Sequence, residues 1–139
     1  MFMLNPRLAA DTIPLGTLAL SQVLLMNDAR FPWLILVPAR AGLREIHDLH
    51  EAGRATLIEE VAAASRALAD LYGPDKMNVG ALGNIVDQLH VHVVARRAGD
   101  DAWPGPVWGA GTPVAYAPKA RAETLAQLRG ALAGLDQAK

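Results

Sequence analysis

The segment Gln88-Leu89-His90-Val91-His92-Val93-Val94 constrains this chain more than any other. Apolar and polar residues alternate along it, as in an extended strand whose side chains point in turn to opposite faces. Leu89, Val91 and Val93 share an apolar face suited to a core, while Gln88, His90, His92 and Val94 share the other. The second face presents two imidazoles roughly 7 Å apart along the backbone, flanked by an amide. Two titratable rings on an otherwise apolar strand cost desolvation unless they are partnered or used.

The totals narrow the setting. A chain of 139 residues is long enough for a real core and too short for two ordinary domains, so residues 1–139 are read as a single domain. The 13 basic and 14 acidic residues nearly balance, and Arg96-Arg97 is the only basic pair. That balance argues against a nucleic-acid or membrane surface among its partners. With no cysteine there is neither a disulfide framework nor thiolate chemistry, which fits a cytoplasmic location. Met1 to Asp11 lacks the basic and apolar regions of a signal peptide, and no apolar run approaches the roughly 20 residues of a membrane-spanning helix.

Along the chain, Gln22 to Met26 is a short apolar run that ends at the turn signal Asn27-Asp28, and Leu34 to Val37 is a second run closed by Pro38. The short loop between them predicts an antiparallel hairpin. A helix follows, with Asp48 as its cap and Glu51 three residues on, and Leu57, Val61, Ala64, Leu68 and Leu71 recur at helical spacing on its core face. Gly73-Pro74 ends it. Lys76 to Leu82 reads as a strand, Gly83-Asn84 as a break, and Ile85 to Ala95 as the histidine strand. Asp100 to Pro113 carries three prolines and cannot be regular throughout. From Pro118 to Leu135, Leu125, Leu128, Leu132 and Leu135 predict a C-terminal helix with Pro118 in its first turn. This order of elements favours an α+β fold on an antiparallel sheet.

The residues alone leave three readings of His90 and His92 open. They can be a hydrogen-bonded structural pair. They can be half of a zinc or iron site, although Arg96 and Arg97 are poor neighbours for a cation and the spacing of His47 and His50 does not require them as further ligands. Or one ring can attack phosphorus while other groups hold the phosphate oxygens. Imidazole suits that role because it is largely neutral near pH 7 and needs no separate base.

The segment resembles the signature of the histidine-triad (HIT) superfamily of nucleotide hydrolases and transferases, His-φ-His-φ-His-φ-φ with φ apolar. Here it reads Gln88-φ-His90-φ-His92-φ-φ, with every φ filled by Leu or Val. Gly83-Asn84-Ile85-Val86 is similar to the family's Gly-Gln-x-φ, and Leu34-Ile35-Leu36-Val37-Pro38 followed by Arg40 is similar to its apolar strand ending in Pro and a basic residue. The resemblance covers roughly Val23 to Arg97. It implies an α+β, HIT-like fold with an antiparallel sheet of five or six strands, one long helix and a C-terminal helix. It also implies a homodimer, a nucleotide as the small-molecule substrate, and no metal or other cofactor. By position, His90 matches the family's nucleophile, His92 the third triad residue, which contacts phosphate, and Gln88 the first. Asn84 matches the upstream Gln, whose amide contacts phosphate oxygens, and Asn27 resembles a ribose-contacting position. The implied reaction is cleavage at the α-phosphate of a dinucleoside polyphosphate or nucleoside phosphoramidate through a covalent histidine–nucleotide intermediate.

The chain departs from the pattern at two places. Gln88 stands where the family has a histidine, and an amide can donate and accept but cannot be a cation. Trp33, in Phe31-Pro32-Trp33, stands where many members have histidine. These departures support a rival reading, a nucleotide-binding protein on the same fold with little turnover. The Trp103-Pro104-Gly105-Pro106-Val107-Trp108-Gly109 stretch is expected to clamp a sheet edge, with stacking over a site as the alternative. Arg96 and Arg97 are expected to be exposed, and His47 and His50 to be surface or capping residues.

Overall fold

The computed structural model describes residues 1–139. Six strands form one antiparallel sheet: β1 (Thr12–Thr17), β2 (Ser21–Met26), β3 (Trp33–Pro38), β4 (Lys76–Gly80), β5 (Val91–Arg96) and β6 (Asp136–Gln137), in the spatial order β4-β5-β3-β2-β1-β6. Helix α1 (Pro6–Asp11) precedes the sheet, α2 (Glu51–Tyr72) is the long helix and α3 (Pro118–Ala131) lies near the C-terminus. This is the α+β arrangement on an antiparallel sheet that the order of elements predicts. No helix is long and apolar enough to cross a membrane.

The β2–β3 hairpin forms as its apolar runs predict, with Leu24 opposite Ile35 and Leu25 opposite Leu34. Both faces of β3 are buried, so its apolar run is continuous. On one face Leu34 and Leu36 join Val91 and Val93 of β5 and Leu57, Val61, Ala64 and Leu68 of α2 in the main core. On the other, Trp33, Ile35 and Val37 join Val94 in a second cluster, which also takes in Leu8, Phe31, Val86 and Val107. The alternation in the histidine strand is therefore real, with Leu89, Val91 and Val93 all in the main core.

Several boundaries differ from the sequence reading. Strand β5 begins at Val91 rather than Ile85, because the Leu89 N–H donates to the Leu43 carbonyl in the loop after β3 and Val86 tucks into the second cluster. Strand β4 stops at Gly80 instead of Leu82. Helix α2 is capped by His50, whose Nδ1 accepts from the Gly53 N–H at 3.1 Å. Asp48 instead closes a preceding 3₁₀ turn (Ile46–Asp48), where its carboxylate accepts from the Arg44 and Glu45 N–H groups. Gly73 ends α2 in the left-handed conformation, at φ +54°. Leu71 is 38% exposed, while Tyr72 packs against the main core from the same last turn. Helix α3 starts at Pro118 but stops at Ala131; Leu128 and Leu132 are buried, and the chain beyond turns back as β6 beside β1.

Burial at α2 sets a stability expectation. Leu68 is fully buried, so Leu68→Ala should cost about 2–5 kcal/mol. Leu71→Ala should cost less than about 1 kcal/mol, since its side chain is already partly in water. Urea denaturation of the two variants checks the contrast, and similar losses would contradict this placement of the helix.

Candidate active site

Strand β5 pairs with β3 so that Ile35 lies opposite His92 and Trp33 opposite Val94. His90 immediately precedes the strand, and His92 is its second residue. The rings are 6% and 5% exposed, with centroids 4.9 Å apart and planes at 68°.

Each ring has one fixed partner. His90 Nδ1 lies 2.6 Å from the backbone carbonyl oxygen of Gln88. A carbonyl can only accept, so Nδ1 carries the hydrogen and Nε2 keeps its lone pair. His92 Nδ1 accepts from the Trp33 indole Nε1–H at 3.0 Å. Burial, reinforced by the neighbouring His90, holds the His92 pKa at about 3, below the ordinary 6.5, so this ring is neutral at physiological pH. Neither Nε2 has a protein partner, and neither is sealed from solvent.

Trp108 reaches this pair from the Pro- and Gly-rich loop of the same chain. Its ring meets His92 edge-on, with centroids 5.4 Å apart. Gly80 makes the approach possible, because a Cβ there would stand 3.0 Å from the Trp108 ring. The loop is held by Arg96, which is buried at 1% exposure and not exposed as the sequence reading expects. Alternation along β5 turns Arg96 to the same face as His92 and Val94. There its guanidinium donates twice to Asp100, at 2.8 Å each, and once to Asn78 Oδ1 at 2.9 Å. The rings of Phe31 and Trp103 lie 5.7 and 5.5 Å from it. The Arg96 hydrogen bonds hold the Asp100 carboxyl at about pKa 2. Arg97 is exposed, as expected, and donates to the Tyr72 carbonyl.

Of the remaining candidates, Gln88 and Asn27 line separate hollows, and Asn84 lines neither. Gln88 and His90 line a cleft with Arg44, Glu45, His47 and Gly83. The Gln88 side chain does not meet the His90 ring. Its Oε1 accepts from the Asn5 N–H at 2.8 Å and its Nε2 donates to the Met3 carbonyl at 2.9 Å, tying down the N-terminal segment. Asn84 is exposed beside Gly83. His47 is exposed, as expected, and lines this cleft. Asn27 lies apart, in a hollow bounded by Arg7, Asp11, Met26, Trp33 and Pro113; its Oδ1 accepts from the Tyr116 N–H at 3.0 Å. Trp33 lines the Asn27 hollow and also reaches His92. No group of three or more His, Cys, Asp or Glu residues is placed to hold a metal ion.

Residues 8–99 match the HIT domain family. The chain belongs to that family. A HIT protein from Marinobacter aquaeolei VT8 is similar in structure, at 50% identity and a TM-score of 0.94, over 97% of this chain and 98% of that one. A histidine triad protein from Bradyrhizobium japonicum shares 47% identity at a TM-score of 0.92, over 94% of this chain and 98% of that one. One from Sinorhizobium meliloti 1021 shares 48% identity at a TM-score of 0.92, over 95% and 98%. No curated protein matches the chain.

The depressed pKa of His92 makes folding sensitive to acid. The folded state prefers the neutral ring, so its stability is full above about pH 6.5 and falls as the pH drops toward 3. The wild type should lose stability faster than His92→Asn below pH 6, with a slope difference approaching about 1.4 kcal/mol per pH unit. Chemical denaturation of both proteins between pH 7 and 5 measures it; parallel pH dependences would contradict the buried neutral ring.

Proposed function

We propose that this HIT protein cleaves nucleotides at the α-phosphate, with His90 as nucleophile. The observation that carries the reading is the hydrogen bond from His90 Nδ1 to the Gln88 carbonyl, which leaves the Nε2 lone pair free next to an open cleft. An imidazole held this way needs no general base to become nucleophilic. Nε2 attacks the α-phosphorus, and the bond from phosphorus to the bridging oxygen or nitrogen breaks. The leaving group departs as a nucleoside phosphate or an amine and takes a proton from water. Water then attacks the His90–nucleotide phosphoramidate. The P–N bond breaks, a nucleoside monophosphate leaves, and the water proton passes to solvent.

His92, Asn84 and backbone amides are the groups proposed to donate to the phosphoryl oxygens as charge builds there. Gln88 contributes through its carbonyl, which orients the nucleophile. The Asn27 hollow is proposed for the ribose, since the Asn27 amide nitrogen makes no hydrogen bond within the protein while its oxygen is held by Tyr116. The scheme draws on no metal or other cofactor. Dinucleoside polyphosphates and nucleoside phosphoramidates both fit it. One observation favours the rival reading, a nucleotide-binding protein with little turnover: the amide in place of the first triad histidine is engaged with Met3 and Asn5.

Incubation with diadenosine polyphosphates and adenosine phosphoramidate separates the two. The wild type should release nucleoside monophosphate, and His90→Ala should fall to the uncatalysed background. Tight nucleotide binding without release by the wild type would favour the binding protein.

A homodimer is also proposed. Strand β4 is an open sheet edge, and Val79, Leu82 and Ile85 on it and in the following loop are 51%, 46% and 76% exposed. Unpaired apolar edges of this kind favour association. Sedimentation velocity should give twice the chain mass, and Val79→Lys should shift the protein toward monomer. A monomeric wild type at micromolar concentration would refute the assembly.

A further inference from the structure

We propose that Trp33 is a positioning residue for the reaction, fixing the tautomer of His92. The inference rests on the nucleotidyl-transfer reading for its catalytic consequence but not for its structural content.

An indole N–H is a donor with no acceptor capacity. Its placement 3.0 Å from His92 Nδ1 requires a lone pair on that nitrogen. A neutral imidazole then has one place left for its hydrogen, which is Nε2. The opposite tautomer would set two N–H groups against each other, between a histidine that is 5% exposed and a tryptophan that is also 5% exposed. Leaving the indole hydrogen unpaired in a buried site is costly.

The two histidines are thus set in opposite senses by two different partners. A main-chain acceptor gives His90 a bare Nε2, and a side-chain donor gives His92 a hydrogen-bearing Nε2. The rings are 4.9 Å apart, and neither Nε2 has a hydrogen-bond partner within the protein. One can attack phosphorus while the other donates to the oxygen on which charge develops, with no proton to rearrange first. Were Trp33 unable to donate, His92 could turn its own lone pair toward that oxygen and repel it.

The packing around the pair supports a fixed geometry. Trp33 lies opposite Val94, one turn of the pleat from His92 on the neighbouring strand, and its ring centroid is 5.6 Å from that of His92. Trp108 closes the other side of His92 at 5.4 Å. The imidazole is held between two indoles, one of which also supplies the hydrogen bond.

The test uses [¹⁵N]histidine-labelled full-length protein. Long-range ¹H–¹⁵N correlation should show the His92 ring of the wild type with a protonated Nε2 and a bare Nδ1 from pH 8 to 5. Trp33→Phe keeps an aromatic ring and removes the donor. It should show His92 as a mixture of tautomers, with kcat reduced about 10- to 100-fold and KM changed less than threefold. Trp33→His, which restores an N–H, should recover part of kcat. A wild-type His92 protonated at Nδ1 would overturn the proposal even if no variant folds. Unchanged ring signals in a folded Trp33→Phe, or wild-type kcat in that variant, would overturn it as well. If the wild type has no turnover, the nucleotidyl-transfer reading fails, and the ring signals still decide whether Trp33 sets the tautomer.

Discussion

The pairing of β3 with β5 is the interaction on which the rest of this structure depends. It places Ile35 opposite His92 and Trp33 opposite Val94, with apolar side chains packed on both faces of β3. One face is sealed by α2 and α3, and the other by Trp33, Phe31, Val107 and the N-terminal segment. Because side chains alternate with a period of two, a slip of one residue would turn the histidines under α2 and take Val91 and Val93 out of the main core. The register is therefore enforced by the main core, and the placement of the imidazoles follows from it.

The second face is built from polar groups that are individually expensive to bury. Arg96 is tolerated there because Asp100 and Asn78 take its hydrogen bonds and the rings of Phe31 and Trp103 cover it. Removing one partner would leave a buried charge uncompensated, which costs far more than the pair itself contributes. This cluster fixes the start of the loop that brings Trp108 over His92, so the electrostatics of a buried ion pair and the shape of the site are linked. His92 is tolerated for a different reason: it remains uncharged, and its one buried ring nitrogen is satisfied by an indole.

Much of this was legible in the sequence, and the gaps have physical causes. The alternation from Leu89 to Val93 identified the core face, and Leu57, Val61, Ala64 and Leu68 identified the buried side of α2. The sequence reading places no strand over Thr12–Thr17, where Pro14 and Gly16 are weak strand formers. Pro14 is accommodated where β1 has a partner on one side only, and Gly16 sits at a bulge where a Cβ would strike the Asp136 backbone of β6. Helix α1 was missed although Asn5 and Pro6 are a cap and a first-turn residue in sequence. Asp48, with Glu51 three residues on, has the spacing of a capping box for α2, but the 3₁₀ turn before the helix claims its carboxylate. At the site, His90 and His92 were visible from their spacing. The hydrogen bond from Trp33 was not, since it joins residues 59 positions apart and depends on the β3–β5 register. Arg96 was misjudged for the same reason: its partners at Asn78, Asp100 and Phe31 become neighbours only once the sheet is assembled.

The central claim is that His90, and no other residue, carries the nucleotide during turnover. The most direct measurement is to mix the protein with adenosine phosphoramidate, quench with denaturant at alkaline pH where a phosphoramidate survives, and map the adduct by peptide mass spectrometry. The account predicts one adenylyl group on the peptide containing His90, localised to that residue and absent from His90→Ala. Monophosphate release with no adduct on any histidine, or an adduct on His92 or His47 instead, would contradict it.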